Sequence, residues 1–219
     1  MTNKNLRELH GKPLMAYTIE QALESRLFEH VVVSTDSEEI AEMAQRFGAE
    51  AWFLRPPELS THKAPKIPAI RHAFLESEKY YGCNFDVGVD LDVTSPLRRI
   101  EDITNAYKQF VQEDANILIT ASSATKNPYF SMVEMVNGRV KLVKSPDRPI
   151  VRRQDAPEVF DMNASIYIWK RDVLLNCDTL FTARTSLYIM PMERSVDIDT
   201  ELDWDFVEFI TRKRLVAHD

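Results

Sequence analysis

The order of apolar runs along this sequence predicts an α/β fold with a mostly parallel sheet covered by helices on both faces. From Met15 to Ala121, predicted helices and short predicted strands alternate strictly, which is the pattern of parallel strands joined by crossover helices. The strand candidates are β-branched runs bounded by polar residues, such as HVVVS at 30–34, which is typical of strands buried on both faces.

Each element of the alternating half has its own local signals. Met15–Ser25 is amphipathic and follows a turn at Gly11–Pro13, so it is predicted to be the first helix. Asp36 or Ser37 can cap a second helix that ends at about residue 47, where Gly48 follows as a helix-terminating residue. The remaining predicted strands are 31–34, 50–54, 86–92 and 116–121, and the remaining predicted helices are 68–80 and 100–112.

The second half of the sequence carries different signals. Asn137-Gly138 lies between alternating apolar residues in 129–143, which is the strongest short-range signal for a β-hairpin. The next segment, 145–157, is charged and contains prolines, so we expect an exposed loop or an arm that contacts another molecule. Strands are predicted at 165–169 and 187–190. A terminal helix is predicted at 200–212, with a buried stripe of Leu202, Phe206, Phe209 and Ile210.

Composition limits the class of protein. The 219 residues are 44% hydrophobic and 28% charged, which suits one globular domain spanning 1–219. A net charge of −7 argues against a nucleic-acid partner, and no apolar run approaches the roughly 18 residues that cross a bilayer, so no membrane association is expected. Cys83 and Cys177 are isolated, which indicates reduced thiols and a cytoplasmic protein.

Two aspartates stand at the end of the strand predicted at 86–92. Asp90 and Asp92 alternate with apolar residues and so face the same side, about 7 Å apart. At an effective dielectric of about 20, their charges repel by about 2 kcal/mol unless a cation or donor lies nearby. The carboxyl end of a strand is where α/β sheets bind ligands. Asp92 can equally cap the turn into Thr94-Ser95-Pro96, so the pattern alone leaves both interpretations open.

A second acidic pair precedes the terminal helix. Asp199 or Thr200 can cap the terminal helix, so Asp199 has a structural explanation, whereas Asp197 lies before the helix and has none. Two carboxylates together with substrate phosphates form the usual Mg²⁺ site. Of the basic residues, most are expected to be solvated. Arg55 differs because it directly follows a predicted strand, where a phosphate could bind. The other members of this basic set are Lys4, Lys63, Lys66, Arg71, Arg98 and Arg99.

Seven segments, taken in order, resemble the acylneuraminate cytidylyltransferases, also called CMP-sialic acid synthetases. The resemblance covers residues 4–214 and is specific as a set, although each segment alone is a weak signal. The segments are KNLRELHGKPLMAYTIEQA (4–22), VVVSTDSEEIAEMAQRFGAE (31–50), LRPPELS (54–60), DLDVTSPLR (90–98), MNASIYIW (162–169), LYIMP (187–191) and RSVDIDTELDWDFVE (194–208).

The resemblance implies a Rossmann-like nucleotidyltransferase fold and a Mg²⁺-dependent reaction of CTP with a nine-carbon 2-keto sugar acid, giving a CMP-sugar and pyrophosphate. It also implies that the hairpin and arm at about 127–160 form a dimerisation element, so that the partners are CTP, the sugar and a second copy in a homodimer. Catalysis would depend on positioning and on charge neutralisation rather than on covalent intermediates.

The resemblance also assigns roles to individual residues. The implied catalytic residues are Asp197, Asp199 and Arg55, of which the two aspartates would hold the metal. The implied nucleotide-binding residues are Lys4, Asn5, Arg55 and Lys66. The implied sugar-binding residues are Asp92, Thr94, Ser95, Asn163, Tyr167, Leu180 and Phe181, and Arg152 or Arg153 would approach the phosphates or the sugar.

Two departures from the family pattern matter. Family members carry a strand and a loop of the type IPARGGSKG before the Lys-Asn pair, and here only Met-Thr-Asn precedes Lys4. We therefore expect that this sequence is a truncated form of a longer protein, or else that the protein is a weak catalyst. A non-catalytic dimeric binding protein on the same fold is the alternative.

The second departure lies at the strand end. Asp92 replaces the glutamine of typical sialic acid enzymes, and Lys66 replaces a small hydroxyl residue. An aspartate accepts hydrogen bonds but cannot donate them, so Asp92 should contact a donor on the sugar or the metal. The form DLDVTSPLR resembles the legionaminic acid branch of the family. Sialic acid is the close alternative substrate, and an eight-carbon keto sugar acid is a weaker one.

Overall fold

A computed structural model describes residues 3–61, 63–145, 150 and 152–216. Its helices are α1 (Leu14–Ser25), α2 (Glu38–Arg46), α3 (Lys66–Tyr81), α4 (Ile100–Gln112), α5 (Arg171–Asn176) and α6 (Glu201–Val216). Its strands are β1 (Glu8–Leu9), β2 (Lys12–Pro13), β3 (Val87–Leu91), β4 (Ile117–Ser123), β5 (Val133–Val136), β6 (Arg139–Leu142), β7 (Phe160–Lys170) and β8 (Thr185–Ile189). Within these described ranges, no helix is long and apolar enough to cross a bilayer.

The main sheet has four strands in the order β3-β7-β4-β8. Strand β7 is antiparallel to both β3 and β4, whereas β4 and β8 are parallel. Three strands therefore run in one direction and β7 runs against them. The predicted α/β class is confirmed, but the sheet is mixed rather than built from parallel neighbours. Strand β7 is antiparallel to β4 because the chain connects these two strands through the hairpin and the arm instead of through a crossover helix.

Two predicted strands are reduced to a single parallel bridge. The segments 31–34 and 50–54 meet only at Val32 and Glu50. The bridge is made by Val33 N donating to Glu50 O at 2.9 Å and by Glu50 N donating to Val31 O at 2.7 Å. Arg55 N extends the pairing by donating to Thr35 O at 2.7 Å. The sequence therefore identified the extended chain correctly, but each segment here pairs along one edge only.

Helices cover both faces of the main sheet, as predicted. On one face α4 packs Ile103 and Phe110 against buried residues of β4 and β7, including Leu118 and Ile168. On the other face α3 and α5 pack against a second cluster, which contains Ile70, Phe74, Ile117, Trp169 and Leu174. The Ser37 side chain caps α2 by accepting a hydrogen bond from Ile40 N at 3.3 Å. The predicted hairpin forms around Asn137 and Gly138, both with positive φ.

The terminal helix buries a different stripe from the one predicted. Leu202 is 77% exposed, and Phe206 and Phe209 are also exposed. The buried apolar residues of α6 are instead Trp204 and Val207, which pack with Leu9, Leu14 and Leu97, and Ile210 lies at the edge of this cluster. The sequence has apolar residues on two faces of this helix. The face that carries Trp204 is buried because it packs against Leu9 of β1 and Leu14 of α1.

Arg98 was expected to be a solvated surface residue and is instead buried, with 1% of its surface exposed. Its guanidinium donates to Ser165 O at 2.6 Å, to Thr18 Oγ1 at 3.0 Å, to Gln21 Oε1 at 3.2 Å and to Asp92 O at 3.3 Å. These acceptors belong to α1, to β7 and to the turn after β3. Burial lowers the pKa of Arg98 to about 10, against the opposing effect of Asp92 and Asp90.

We predict that Arg98→Ala lowers the free energy of unfolding by about 3 kcal/mol, because the buried acceptors lose their donor. Urea denaturation followed by circular dichroism measures the change. The matched control is Arg46→Ala at the exposed end of α2, which should change the free energy by less than about 0.5 kcal/mol. Equal effects of the two substitutions would contradict the role assigned to Arg98.

Candidate active site

A lysine and two aspartates form an ion cluster at the carboxyl end of β3. The Lys66 ammonium lies 2.8 Å from Asp90 Oδ2 and 2.8 Å from Asp92 Oδ2. Lys66 is the first residue of α3, so the start of this helix places its side chain over the strand end. The repulsion expected between the two aspartates is thereby offset by a shared cation. The sequence placed Lys66 near the nucleotide and did not show this pairing.

The electrostatics of the cluster favour the charged form of each partner. Burial opposes ionisation of Lys66, but Asp90 and Asp92 outweigh it and raise the pKa of the ammonium. Burial likewise opposes ionisation of Asp92, but Lys66 and two hydrogen bonds from Thr94 lower the pKa of its carboxyl. Asp92 Oδ1 accepts those bonds from Thr94 N at 3.0 Å and from Thr94 Oγ1 at 2.8 Å. Asp92 therefore caps the turn and faces the site at the same time.

The segment 197–199 lies against the same turn. Ile198 N donates to Thr94 O at 3.0 Å, which fixes the acidic pair beside the end of β3. Asp197 Oδ1 is buried and has no hydrogen-bond partner among the described residues. Burial, together with Asp92 and Asp199, raises the pKa of Asp197, although the nearby Thr94 hydroxyl and the Lys4 ammonium oppose this. Two buried carboxylate oxygens of the site, Asp197 Oδ1 and Asp90 Oδ2, therefore have no hydrogen-bond donor among the described residues, and Asp90 Oδ2 lies 2.8 Å from the Lys66 ammonium.

Asp199 and Lys4 occupy the exposed side of this segment. The Asp199 side chain is 78% exposed and lies 3.7 Å from the Lys4 ammonium. Lys4 also donates to the carbonyl oxygen of Ile198. Residues from opposite ends of the sequence thus meet at the turn that follows β3.

Three of the four residues expected to contact a nucleotide line one cavity. Asn5, Arg55 and Lys66 border a cavity of about 530 Å³ beside β3, whereas Lys4 lies at the 197–199 segment. The Arg55 guanidinium donates to Ser60 Oγ at 3.2 Å and lies 3.9 Å from Asp36 Oδ1, so local contacts orient it. Two cationic side chains, Arg55 and Lys66, thus line the cavity, which suits a phosphorylated ligand.

The aromatic and aliphatic residues expected to contact the sugar share the α3 face of the sheet. Tyr167 is buried, and the Lys66 ammonium lies 5.1 Å from the centre of its ring. Leu180 packs in the same cluster as Tyr167. Phe181 is 66% exposed and borders a second cavity of about 510 Å³, together with Met162 and Leu187. Three of the residues predicted to bind the sugar, Tyr167, Leu180 and Phe181, therefore lie along one face.

Ser95 and Asn163 are placed differently, because both are buried in a hydrogen-bond network. Asn163 Oδ1 accepts from Thr120 Oγ1 at 2.7 Å and from Ser165 N at 3.1 Å, and its Nδ2 donates to Ser195 Oγ at 2.9 Å. Ser95 Oγ donates to Asn163 O at 3.5 Å. The geometry gives both residues a supporting position, and their contact with sugar remains a prediction.

Arg152 and Arg153 are the arm residues predicted to approach the phosphates or the sugar. Arg152 is exposed, and the side chain of Arg153 lies outside the described part of the chain. Their predicted approach to phosphate or sugar is therefore untested.

Comparisons with known proteins show what this chain is similar to. A family model described as cytidylyltransferase matches residues 1–214. The post-translational flagellin modification protein B of Campylobacter coli is 46% identical over 99% of this chain and 92% of that protein. A CMP-N,N'-diacetyllegionaminic acid synthase of Campylobacter jejuni subsp. jejuni serotype O:2 is 47% identical over 95% of this chain and 88% of that protein.

A solved structure supports the fold. The structure of a CMP:2-keto-3-deoxy-manno-octonic acid synthetase complexed with CTP superposes with a TM-score of 0.67. The superposition covers 98% of this chain and 93% of the other chain at 18% sequence identity. At this identity the likeness supports the fold and nothing further. The expected nucleotidyltransferase architecture is confirmed by this likeness.

We predict that Asp197→Asn raises the free energy of unfolding by about 1 kcal/mol in the absence of divalent cations, because it removes a partly buried charge whose Oδ1 has no donor among the described residues. Urea denaturation in the presence of a chelator measures this change. Asp199→Asn is the matched control, and its exposed side chain should leave the free energy unchanged. A loss of stability in Asp197→Asn would show that this carboxylate is satisfied in the folded protein.

Proposed function

Because this chain belongs to the cytidylyltransferase family, we propose that it transfers CMP from CTP to a nine-carbon 2-keto sugar acid of the legionaminic or sialic acid type. The observation that carries this proposal is the meeting of Lys66, Asp92 and Asp197 at the end of β3, beside a cavity that Asn5 and Arg55 also line. Cationic side chains that could bind the phosphates thus lie beside carboxylates that could bind the sugar or a metal.

The proposed reaction needs positioning and charge neutralisation. The anomeric hydroxyl oxygen of the sugar bonds to the α-phosphorus of CTP as the bond to the β,γ-diphosphate breaks, and pyrophosphate leaves. Lys4, Arg55 and Lys66 offset the charge that develops on the phosphate oxygens. Because Lys66 is already ion-paired with Asp90 and Asp92, its ammonium is held in place before the substrates bind.

We further propose that Mg²⁺ binds at Asp197 and Asp199. The unpartnered Oδ1 of Asp197 and the exposed carboxylate of Asp199 are oxygen ligands of the kind that Mg²⁺ prefers. Within the described residues no group of three or more His, Cys, Asp or Glu side chains could hold a metal ion alone. Two carboxylates thus suit a metal that also needs substrate phosphates, and when bound it would supply Lewis-acid stabilisation of phosphate charge.

The acidic cluster also favours one kind of sugar. Asp92 lies in the cluster as an acceptor that Lys66 neutralises, so a sugar carboxylate close to it meets less repulsion than the sequence alone suggested. Its remaining capacity is to accept a hydrogen bond, which an acetamido N–H or a hydroxyl of the sugar could donate. The relative at 47% identity, which is named for a diacetylated sugar acid, supports the legionaminic type.

A homodimer built on the β5–β6 hairpin is also proposed. Val133, Met135 and Val140 on this hairpin are each more than 60% exposed, at 62%, 68% and 64%. The two strands pair only with each other among the described strands. A projecting hairpin with exposed apolar side chains suits an interface with a second copy.

We place the enzyme in the cytoplasm. Both Cys83 and Cys177 are free thiols, as expected for a reducing compartment.

We predict that the protein releases pyrophosphate from CTP when Mg²⁺ and a diacetamido nine-carbon keto sugar acid are supplied together. A coupled pyrophosphate assay compares this sugar with sialic acid and with an eight-carbon keto sugar acid. The diacetamido sugar should give the highest kcat/KM. Binding of CTP or sugar without pyrophosphate release from any of the three would contradict the proposal and support the non-catalytic binding protein.

We predict that Asp92→Gln shifts the ratio of kcat/KM between the diacetamido sugar and sialic acid by about tenfold, because it exchanges an acceptor for an amide that also donates. The same pyrophosphate assay measures the ratio. Asp86→Gln, on the exposed residue before the same strand, is the matched control and should leave the ratio unchanged. If Asp92→Gln lowers the activity with every sugar equally, Asp92 serves the metal or the turn and not sugar selection.

A further inference from the structure

Asp90 belongs to the ion cluster but is not among the residues expected to contact a substrate. It lies in β3 directly opposite Tyr167 of β7, so the two side chains share one face of the sheet. The Asp90 side chain is 22% exposed. Its Oδ2 is buried without a hydrogen-bond partner among the described residues, and the Lys66 ammonium lies 2.8 Å from it. The surroundings of Asp90 thus connect it to the site through Lys66.

The position of the Lys66 ammonium depends on Asp90. A lysine side chain has a long, flexible stem, and its ammonium is strongly hydrated. The Lys66 side chain is 41% exposed, so water competes for this ammonium. Three groups hold it, namely Asp90 Oδ2 at 2.8 Å, Asp92 Oδ2 at 2.8 Å and the Tyr167 ring, whose centre lies 5.1 Å away. Without the charge of Asp90, the ammonium would have one ionic partner in the cluster and would move toward Asp92.

The position of this ammonium decides which acceptor site of Asp92 stays free. An ionised carboxylate has about four lone-pair sites on its two oxygens. Asp92 Oδ1 accepts from Thr94 N at 3.0 Å and from Thr94 Oγ1 at 2.8 Å, and Asp92 Oδ2 accepts from Lys66 at 2.8 Å. These bonds occupy both sites of Oδ1 and one site of Oδ2. The direction of the remaining site on Oδ2 is therefore set by the side from which Lys66 donates.

Sharing of the cation also keeps Asp92 a strong acceptor. One ammonium pairs with two carboxylates, so Lys66, Asp90 and Asp92 together keep a net negative charge. A hydrogen bond to an ionised acceptor is shorter and stronger than a bond between neutral groups. The free site of Asp92 therefore suits a neutral N–H donor, such as the acetamido group of a sugar.

We propose that Asp90 is a positioning residue for sugar selection, because it draws the Lys66 ammonium to one side and leaves the last acceptor site of Asp92 open to an N–H donor of the sugar. This role rests on the proposed function, since the ligand of Asp92 is taken to be the sugar acid. Asp90 acts through Lys66 and not by contact with the sugar, because its own Oδ2 is buried against the ammonium.

Replacing Asp90 by asparagine removes the charge and keeps the size of the side chain. In the coupled pyrophosphate assay, Asp90→Asn should lower the ratio of kcat/KM between the diacetamido sugar and sialic acid by about fivefold, since Lys66 then pairs with Asp92 alone. The change should appear in the KM of the sugar, with kcat within about twofold of the parent value. Asp172→Asn, at an 89% exposed side chain of α5, is the matched control and should leave the ratio unchanged.

Further variants separate an action through Lys66 from a structural role of Asp90. Lys66→Met should also lower the ratio, and in that background Asp90→Asn should change the ratio by less than about twofold. Asp90→Glu keeps the charge and should hold the ratio within about twofold of the parent value, because the flexible lysine can follow the carboxylate. Urea denaturation checks that each variant is folded, and Lys66→Met tests the same contacts if Asp90→Asn does not fold.

Several results would overturn the positioning role and leave the proposed function standing. An unchanged ratio in Asp90→Asn or in Lys66→Met, or an equal loss of kcat/KM with both sugars, would exclude sugar selection. An equal effect of Asp90→Asn with and without Lys66, or no rescue by Asp90→Glu, would exclude action through the ammonium.

The parent chain distinguishes these results from a failure of the proposed function. If it binds both sugars in calorimetry without releasing pyrophosphate, the proposed function fails, and the ratio of the two dissociation constants then tests the role of Asp90 in the same variants. If it neither binds a sugar nor releases pyrophosphate, both proposals are wrong.

Discussion

The guanidinium of Arg98 fixes the position of the turn on which the rest of the site depends. It bonds at once to the carbonyl oxygens of Asp92 and Ser165 and to the hydroxyl of Thr18, so the end of β3, strand β7 and helix α1 cannot shift separately. Such a buried cation is tolerated only because each of its nitrogen atoms has an acceptor. The turn from Asp92 to Thr94 is then rigid enough to hold carboxylates in defined places.

Charge at the candidate site is balanced in two different ways. Lys66 pairs with both Asp90 and Asp92, so one cation offsets part of the charge of two carboxylates. The Asp197 carboxylate has an oxygen with no donor among the described residues, and nearby carboxylates add to its cost of ionisation. The same turn therefore supports one acidic group that is already paired and one that gains from a ligand, which is the condition for binding a cation together with phosphates.

The apolar cavity and the candidate site are parts of one space. Arg55 and Lys66 line the cavity, and all five residues of β3, Val87–Leu91, line it as well. The strand that carries Asp90 of the ion cluster therefore also forms a wall of the cavity.

The sequence by itself determined the α/β class, the helices α1, α2 and α4, and the hairpin at Asn137-Gly138, because these features rest on local periodicity, caps and turn residues. It also selected Asp92 and Asp197 as informative residues. Only the tertiary structure decided the antiparallel direction of β7, the buried face of α6, the burial of Arg98 and the pairing of Lys66. Each of these depends on contacts between residues far apart in the chain, and local pattern holds no information about which distant group supplies an acceptor, a counter-charge or a packing surface.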